Sequence, residues 1–407
     1  MQAAGGEDVK VIDMGLQNRT ALVNDIDASF GGYGVVLVRM NEAQIAATER
    51  SVSLSTYLLL RWCFVHPSRW FACDVRLHGY SALDAARAFF RLPQEEKLAV
   101  QAPQGAGNAC LRGFVPYGSL LQRSADVDGS SAPIAHSSSQ PARMPDRKES
   151  FTVGAHRYCD LETRTADSPH DEEYFAKEKA DGRFFAHNRW PEDPAIGSEL
   201  RNAWRAYFDD TVEPLVRELY DLIAEALGMD AAVFHHARSR HFSECRCNYY
   251  LEIEDSGLCG VPPTLPGQRR ISAHKDFTDF TILSPDRAAR YPHLQIAARD
   301  GESYRLVPYD DTCVTVLLGE PMQKWSNDRW FAPLHRVDVP VREDEMGAKY
   351  TMAYFCNPDY ETVIAAPVAA AERMYADITV GEHWWGMYHS SRKAFGVDLT
   401  SKPSGRS

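Results

Sequence analysis

Residues 272–283 read SAHKDFTDFTIL and place a histidine and an aspartate one residue apart in a segment that otherwise resembles a β-strand. Side chains at positions i and i+2 of a strand point to the same face, so His274 and Asp276 are expected to project together. Lys275 between them points away, and Asp279 has the opposite parity if the strand is unbroken. The stretch therefore predicts a strand face with two metal-ligand side chains, and Asp279 lies outside that set.

A third ligand would complete a recognised metal site. Two histidines and one carboxylate can bind non-haem Fe(II) on one side and leave the other coordination positions open. The best candidate is His335, in the later predicted strand region WFAPLHRVDVP, with 58 residues between it and Asp276. The alternative is a buried His–Asp pair joined only by a hydrogen bond, because a single His-x-Asp is common by chance.

Short alternating strands separated by turns fill residues 240–365. They are CRCNYYLEI, RRISAHKD, FTILSP, HLQIAA, SYRLVPY, CVTVLLG, APLHRVDVP and KYTMAYFCNP. Eight strands within roughly 120 residues, with no helix predicted between them, favour a double-sheet antiparallel jelly roll over a βαβ fold. The sequence therefore predicts an α+β fold with a distorted double-stranded β-helix, or jelly-roll, core and flanking helices.

Three further regions are predicted around this core. Residues 1–145 form an N-terminal region of helices and strands with insertions, and residues 146–239 form a helical support region. Residues 366–407 form a C-terminal helical tail. The jelly roll at 240–365 is expected to be the catalytic core.

Helical periodicity is clearest over residues 198–228, where apolar side chains recur close to every 3.6 positions. Pro214 is expected to kink this helix, because proline lacks the backbone N–H that continues the hydrogen-bond ladder. A second helix is predicted to start at the cap residue Ser81. Residues 41–75 and 122–146 fit neither period and are interpreted as insertions.

Composition restricts the class of partner. The formal net charge is −12, from 56 acidic and 44 basic residues, which disfavours general binding to a phosphate backbone. Nine scattered cysteines without a CxxC pair indicate reduced thiols, and no secretory signal or apolar run of bilayer length is apparent. We expect a cytoplasmic, soluble protein that is a monomer or weak oligomer and binds neither nucleic acid nor membrane.

Nine stretches, in order along the chain, resemble the Fe(II)/2-oxoglutarate-dependent dioxygenases of the isopenicillin N synthase-like family. They are FFRLPQEEK (89–97), RGFVPYGS (112–119), DRKESFTVG (146–154), NRWP (188–191), RCNYYLE (246–252), HKDFTDFTIL (274–283), HLQI (293–296), LLGEPMQKWSNDRWFAPLHRV (317–337) and KYTMAYFCNP (349–358). Each is weak alone, but together they are specific.

The resemblance implies an iron held by His274, Asp276 and His335, with 2-oxoglutarate and O2 as co-substrates. It implies hydroxylation, desaturation or ring formation on a small molecule, in specialised metabolite biosynthesis. Two alternatives remain open at this point: an iron oxidase of the same fold that does not use 2-oxoglutarate, and a non-catalytic binding scaffold.

The resemblance also implies a co-substrate site in which Asn248 and Tyr250 face 2-oxoglutarate. Its distal carboxylate is expected to meet an Arg-x-Ser pair, but here the pair is Lys349 and Thr351. Lysine supplies the charge without the planar two-pronged fork of arginine. Arg342 in the preceding turn is a further candidate for that role.

Substrate contacts are predicted from strand parity and from the C-terminal aromatics. Arg246 shares parity with Asn248, and Arg270 shares parity with His274, so either could bind a substrate carboxylate; a strand-edge salt bridge is the alternative. Trp384 and Tyr388, with Trp385, are predicted either to form a lid or to be ordinary packing residues.

Overall fold

Two β-sheets face each other, and helices cover the outer face of the larger one. The structure is a computed structural model that describes residues 9–15, 18–41, 44, 81–103, 112–118, 145–160, 174, 184–253, 264–265, 267–287, 293–340 and 347–394. Most of the two predicted insertions, Arg342 and the last residues of the tail lie outside these ranges.

The strands are β1 (Val11–Ile12), β2 (Val35–Arg39), β3 (Gly113–Val115), β4 (Lys148–Gly154), β5 (Glu244–Tyr250), β6 (Ile271–His274), β7 (Phe280–Pro285), β8 (Leu294–Ala297), β9 (Tyr304–Leu306), β10 (Cys313–Leu318), β11 (His335–Val337), β12 (Lys349–Cys356), β13 (Val363–Ile364) and β14 (Ile378–Thr379). The large sheet has the order β1-β2-β10-β7-β12-β5-β4-β3, and the small sheet has the order β6-β11-β8-β9. Strands β13 and β14 form a separate pair. All pairings are antiparallel except β1 with β2.

The helices are α1 (Arg19–Gly32), α2 (Ala82–Phe90), α3 (Gln94–Ala99), α4 (His156–Cys159), α5 (Pro194–Arg205), α6 (Glu213–Leu227), α7 (Ala232–Ala237), α8 (Glu320–Trp325) and α9 (Val380–Ala394). A π-helical segment, Ala206–Val212, joins α5 to α6, and a 3-10 turn covers Ala370–Glu372. Among the described helices, none has the length and apolar character needed to cross a bilayer.

The two faces of the large sheet pack against different parts of the protein. Met352 and Tyr354 of β12 point outward into the main apolar core. In this core the ring centroids of Trp204 on α5 and Phe151 on β4 lie 5.5 Å apart. On the opposite face, a second apolar cluster between the two sheets includes Leu317 of β10 and Ile296 of β8 in the small sheet. The inner face therefore lines the space between the sheets, as the predicted α+β jelly roll requires.

The eight predicted strands are all present, but two details of the prediction are wrong. A short helix, α8, interrupts the predicted helix-free run; Pro321 occupies its first turn, where the missing N–H breaks no helical hydrogen bond. The predicted strand RRISAHKD is also too long: β6 ends at His274, before Asp276, whereas β7 begins at Phe280 as predicted. Asp276 therefore lies in the connection between the two sheets, and strand parity does not place it.

The predicted amphipathic helix over 198–228 is confirmed with one modification. The helical stretch starts at Pro194 and ends at Gly228, which caps it in the left-handed conformation with φ 69°. The wider π turn directly precedes α6, in which Pro214 occupies the first turn. This local widening accommodates a residue that cannot donate to the preceding turn.

The division into four regions stays a prediction. The large sheet takes β1, β2 and β3 from 1–145 and β4 from 146–239, in addition to its strands from 240–365. The N-terminal part of the chain therefore contributes directly to the sheet that carries the cavity.

Gly319, between β10 and α8, is expected to be intolerant of any side chain. A Cβ at this position would lie 1.7 Å from the Thr278 carbonyl oxygen and 3.1 Å from that of Asp276. We predict that Gly319→Ala lowers the free energy of unfolding by about 2 kcal/mol or more, because two backbone segments must move apart. Urea denaturation checks this, with Gly32→Ala as control, since nothing lies within 4 Å of a Cβ there. Equal denaturation midpoints for the two variants would contradict the prediction.

Candidate metal centre

The structure brings together the three predicted metal ligands. Strands β6 and β11 are antiparallel, and their register places His274 directly opposite His335, with ring centroids 4.2 Å apart. One ligand atom from each histidine and from Asp276 can be chosen so that all lie within 4.8 Å of one another. Within the described part of the chain, this is the one such group of His, Cys, Asp and Glu side chains.

Backbone carbonyls orient both imidazole rings. Nδ1 of His274 lies 2.8 Å from the Ser272 carbonyl oxygen, and Nδ1 of His335 lies 3.1 Å from that of Pro333. If each Nδ1 carries the proton and donates it, each Nε2 presents a lone pair. These Nε2 atoms lie 3.6 and 3.8 Å from Oδ1 of Asp276, so the three donors converge on one point.

Asp276 is held from two sides. The Thr281 hydroxyl on β7 donates to Oδ2 at 2.6 Å, and the backbone N–H of Glu320 donates to the Asp276 carbonyl at 3.0 Å. These contacts leave Oδ1 directed at the histidines. Strand parity in the sequence predicts only which face a side chain is on. It therefore did not predict the contact of Thr281 with Asp276, which depends on the path of the chain between the two sheets.

The protonation state of His274 suits a metal ligand. Burial and the neighbouring His335 lower its pKa to about 3, so the ring is neutral near pH 7. Two imidazoles and one buried carboxylate are a donor set that fits Fe(II) in a facial arrangement with open positions. The residues present therefore fit the implied metal.

A cavity of about 570 Å³, open mouth included, extends from the triad between the two sheets. The four residues predicted to bind co-substrate all line it: Asn248, Tyr250, Lys349 and Thr351. Register places Lys349 opposite Tyr250 and Thr351 opposite Asn248, and in-register neighbours share a face. The other lining residues are Ile271, Thr281, Leu283, Leu294, Leu317, Val337, Ala353 and Phe355, with the triad.

The two arginines predicted to contact substrate lie near the cavity without being among its lining residues. Arg246 donates from Nε to the Thr152 hydroxyl at 3.0 Å, and its Nη2 lies 3.5 Å from Glu244. Its guanidinium also lies 4.8 Å from the ring of Phe355, which does line the cavity.

Arg270 is completely buried, and its guanidinium carbon lies 5.7 Å from the Tyr250 ring. Its Nη2 donates to the Gly347 carbonyl at 3.0 Å. Burial lowers the pKa of His293 to about 3, and the nearby positive charges of Lys349 and Arg270 add to this lowering. Positive charge is therefore concentrated around this part of the cavity.

The C-terminal aromatics lie in a packed cluster. Trp384 and Tyr388 of α9 are buried and stack with centroids 5.5 Å apart, and Trp384 lies 6.3 Å from Phe277, the residue after Asp276. Neither lines the cavity. Their contacts are those of packing residues, and a lid role stays a prediction.

Asp279, which parity placed outside the ligand set, is buried and does not belong to the group of converging ligand atoms. Its carboxylate accepts a hydrogen bond from the Tyr220 hydroxyl at 2.6 Å. Burial raises its pKa to about 7.

A sequence profile described as the 2OG-Fe(II) oxygenase superfamily matches residues 242–358, which include the triad. Validamycin A dioxygenase from Streptomyces hygroscopicus subsp. limoneus is 28% identical over 304 residues, which cover 73% of this chain and 70% of that protein. The 2-oxoglutarate-dependent dioxygenase ecdK from Aspergillus rugulosus is 25% identical over 303 residues, 71% of this chain and 79% of the relative.

Solved structures show the same fold. A full-length protein from Neurospora crassa, in complex with alpha-KG and thymine, superposes with a TM-score of 0.63 at 21% identity, covering 96% of this chain and 100% of that one. A putative 2OG-Fe(II) oxygenase family protein from Caulobacter crescentus gives a TM-score of 0.63 at 19% identity, covering 94% and 98%.

The hydrogen bond from Thr281 to Asp276 is expected to contribute to metal affinity. We predict that Thr281→Val weakens Fe(II) binding by about 10- to 100-fold, because the carboxylate loses the partner that fixes its orientation. Anaerobic competition with a chromophoric chelator measures the affinity. Thr315→Val, on the inner face of β10, is the matched control and should leave it unchanged; an equal effect of the two substitutions would contradict the assignment.

Proposed function

Because the chain belongs to the 2OG-Fe(II) oxygenase superfamily, we propose that His274, Asp276 and His335 hold the iron of a 2-oxoglutarate-dependent dioxygenase whose substrate is a small molecule. The observation that carries this assignment is the convergence of two imidazole Nε2 atoms on one oxygen of Asp276. Iron with 2-oxoglutarate and O2 supplies the oxidising power for attack on a C–H bond.

The protein's own contribution is to orient the reactants and to exclude water. The carbonyls of Ser272 and Pro333 fix the histidine rings, and Thr281 fixes the carboxylate. The apolar side chains that line the cavity are proposed to limit the access of water once co-substrate and substrate fill it.

Lys349 is the proposed partner of the distal carboxylate of 2-oxoglutarate. It is largely buried, lines the same cavity as the triad and carries the positive charge that this carboxylate requires. Thr351, two residues along the same strand, shares a side-chain hydrogen bond with Tyr250. Asn248 is proposed to face the co-substrate beside them.

The substrate is proposed to belong to specialised metabolism. The relatives that match carry names such as validamycin A dioxygenase and proline hydroxylase, which refer to small molecules. Arg246 is proposed as a contact at the edge of the cavity, and the protein is proposed to act in the cytoplasm. The 2-oxoglutarate-dependent relatives favour this function over an oxidase without 2-oxoglutarate or a binding scaffold.

Spectroscopy tests the proposed iron and co-substrate site directly. Anaerobic addition of Fe(II) and 2-oxoglutarate is expected to give the weak visible metal-to-ligand charge-transfer band, and His274→Ala is expected to abolish it. His235→Ala is the control, because His235 pairs with Asp221 on the helical side of the protein and should leave the band intact. Absence of the band in the wild type, with no succinate formed under O2, would refute the proposed function.

Variants of Lys349 test the co-substrate assignment. We expect Lys349→Gln to weaken 2-oxoglutarate binding at least tenfold, since a buried carboxylate loses its charged partner, whereas Lys349→Arg should preserve or tighten it. Calorimetry gives both affinities, with 2-oxobutyrate as a probe that lacks the distal carboxylate and should be insensitive to both changes. Unchanged 2-oxoglutarate affinity in Lys349→Gln would exclude this role, and complete loss in Lys349→Arg would mean that the pocket is built around lysine.

A further inference from the structure

Lys148, in the stretch DRKESFTVG, is a second lysine on the inner face of the large sheet. It pairs in register with Tyr250 of β5, and Tyr250 pairs in register with Lys349 of β12. Directly opposed residues of neighbouring strands share a face, so all three point toward the small sheet. The Cα atoms of the two lysines are about 10 Å apart, because β5 lies between their strands and each strand spacing is about 5 Å.

The ammonium of Lys148 lies close to the proposed active site. Its Nζ donates to Oδ1 of Asn248 at 3.2 Å, and Asn248 lines the cavity that contains the triad. Burial lowers the pKa of Lys148 to about 8, so a large fraction still carries charge at pH 7. The carboxylates of Asp146 and Asp276 oppose this lowering of the pKa, and the guanidinium of Arg246 adds to it.

The Lys148 charge has no ion-pair partner among the residues that the structure describes. Among the described residues, no carboxylate oxygen lies within 4.0 Å of the Lys148 Nζ. Asp146, two residues earlier in the chain, accepts hydrogen bonds from the N–H and hydroxyl of Ser272 instead. A partly buried ammonium with one neutral acceptor is not fully compensated for the water it has lost, and an anionic partner in contact with it would offset that cost.

The other basic groups of the region are engaged differently. Lys97 forms an ion pair with Glu149 at 2.8 Å on the outer face of β4. Arg246 contacts both Thr152 and Glu244, which reduces its availability to a substrate anion. Lys349 is assigned to 2-oxoglutarate above.

We propose that Lys148 binds a carboxylate of the primary substrate and holds that substrate over the β4–β5 half of the inner face. The inference rests on the proposed function and adds a substrate class to it: small molecules with an anionic group. The sequence offered Arg246 and Arg270 for this role. Like them, Lys148 lies beside the cavity and is not among its lining residues, but it combines an inward direction with the absence of an ion-pair partner among the described residues. The alternative anion for Lys148 is a carboxylate of 2-oxoglutarate.

The test uses protein loaded with Zn(II) in place of iron and saturated with 2-oxoglutarate, so that no turnover occurs. The probes are two matched pairs, phenylacetate with phenylacetamide and cyclohexanecarboxylate with cyclohexanecarboxamide, and saturation-transfer NMR measures their affinities. We expect the wild type to bind each acid at least tenfold more tightly than its amide. Lys148→Gln should abolish this preference and Lys148→Arg should retain it.

Lys10→Gln is the matched control, because it removes the same charge from an exposed lysine and should behave like the wild type. Calorimetry should show that the 2-oxoglutarate affinity of all these variants stays within twofold of the wild type. A tenfold loss of 2-oxoglutarate affinity in Lys148→Gln, with the acid preference unchanged, would assign Lys148 to the co-substrate and overturn the substrate role. Acids that bind wild type no better than amides, or a preference that survives in Lys148→Gln, would also overturn it. Failure of wild-type protein to bind 2-oxoglutarate would instead refute the proposed function.

Discussion

The antiparallel register between β6 and β11 is the constraint on which the site depends. It places His274 opposite His335, and both rings then point at the carboxylate of Asp276. The chain leaves the small sheet directly after His274 and enters the large sheet at Phe280, so the carboxylate sits where the two sheets are joined. The proposed metal centre and the fold therefore share the same few backbone contacts, among them the hydrogen bond from the Glu320 N–H to the Asp276 carbonyl.

Much of this arrangement could be predicted from the sequence, because period-two alternation reports which residues share a face. All eight predicted strands exist, and the four residues predicted to face 2-oxoglutarate line one cavity with the triad. The end of β6 at His274, two residues before the predicted end at Asp276, could not be seen, since the residues on both sides of it have strand-like composition. Helix α8 was missed for a related reason: six residues are too few for a helical period to show.

Charge partners were the least predictable feature. Parity placed Arg246 on the inner face correctly, but its hydrogen bond to Thr152 depends on β4, whose pairing with β5 no local pattern reveals. The same pairing brings Lys148 beside Asn248. The half of the inner face formed by β4 and β5 is thus richer in charge than the half formed by β7 and β10, where Leu283 and Leu317 line the cavity. Such an asymmetry agrees with the proposal that an anionic substrate binds at the β4–β5 side of the cavity.

The central claim is that one iron binds at the point where the three side chains meet. Crystals grown anaerobically with Fe(II), measured on both sides of the iron absorption edge, would locate the metal by its anomalous signal. The account predicts a single strong peak within coordination distance of Nε2 of His274, Nε2 of His335 and Oδ1 of Asp276. A peak elsewhere in the protein, or one that lacks any of these three ligands, would contradict it.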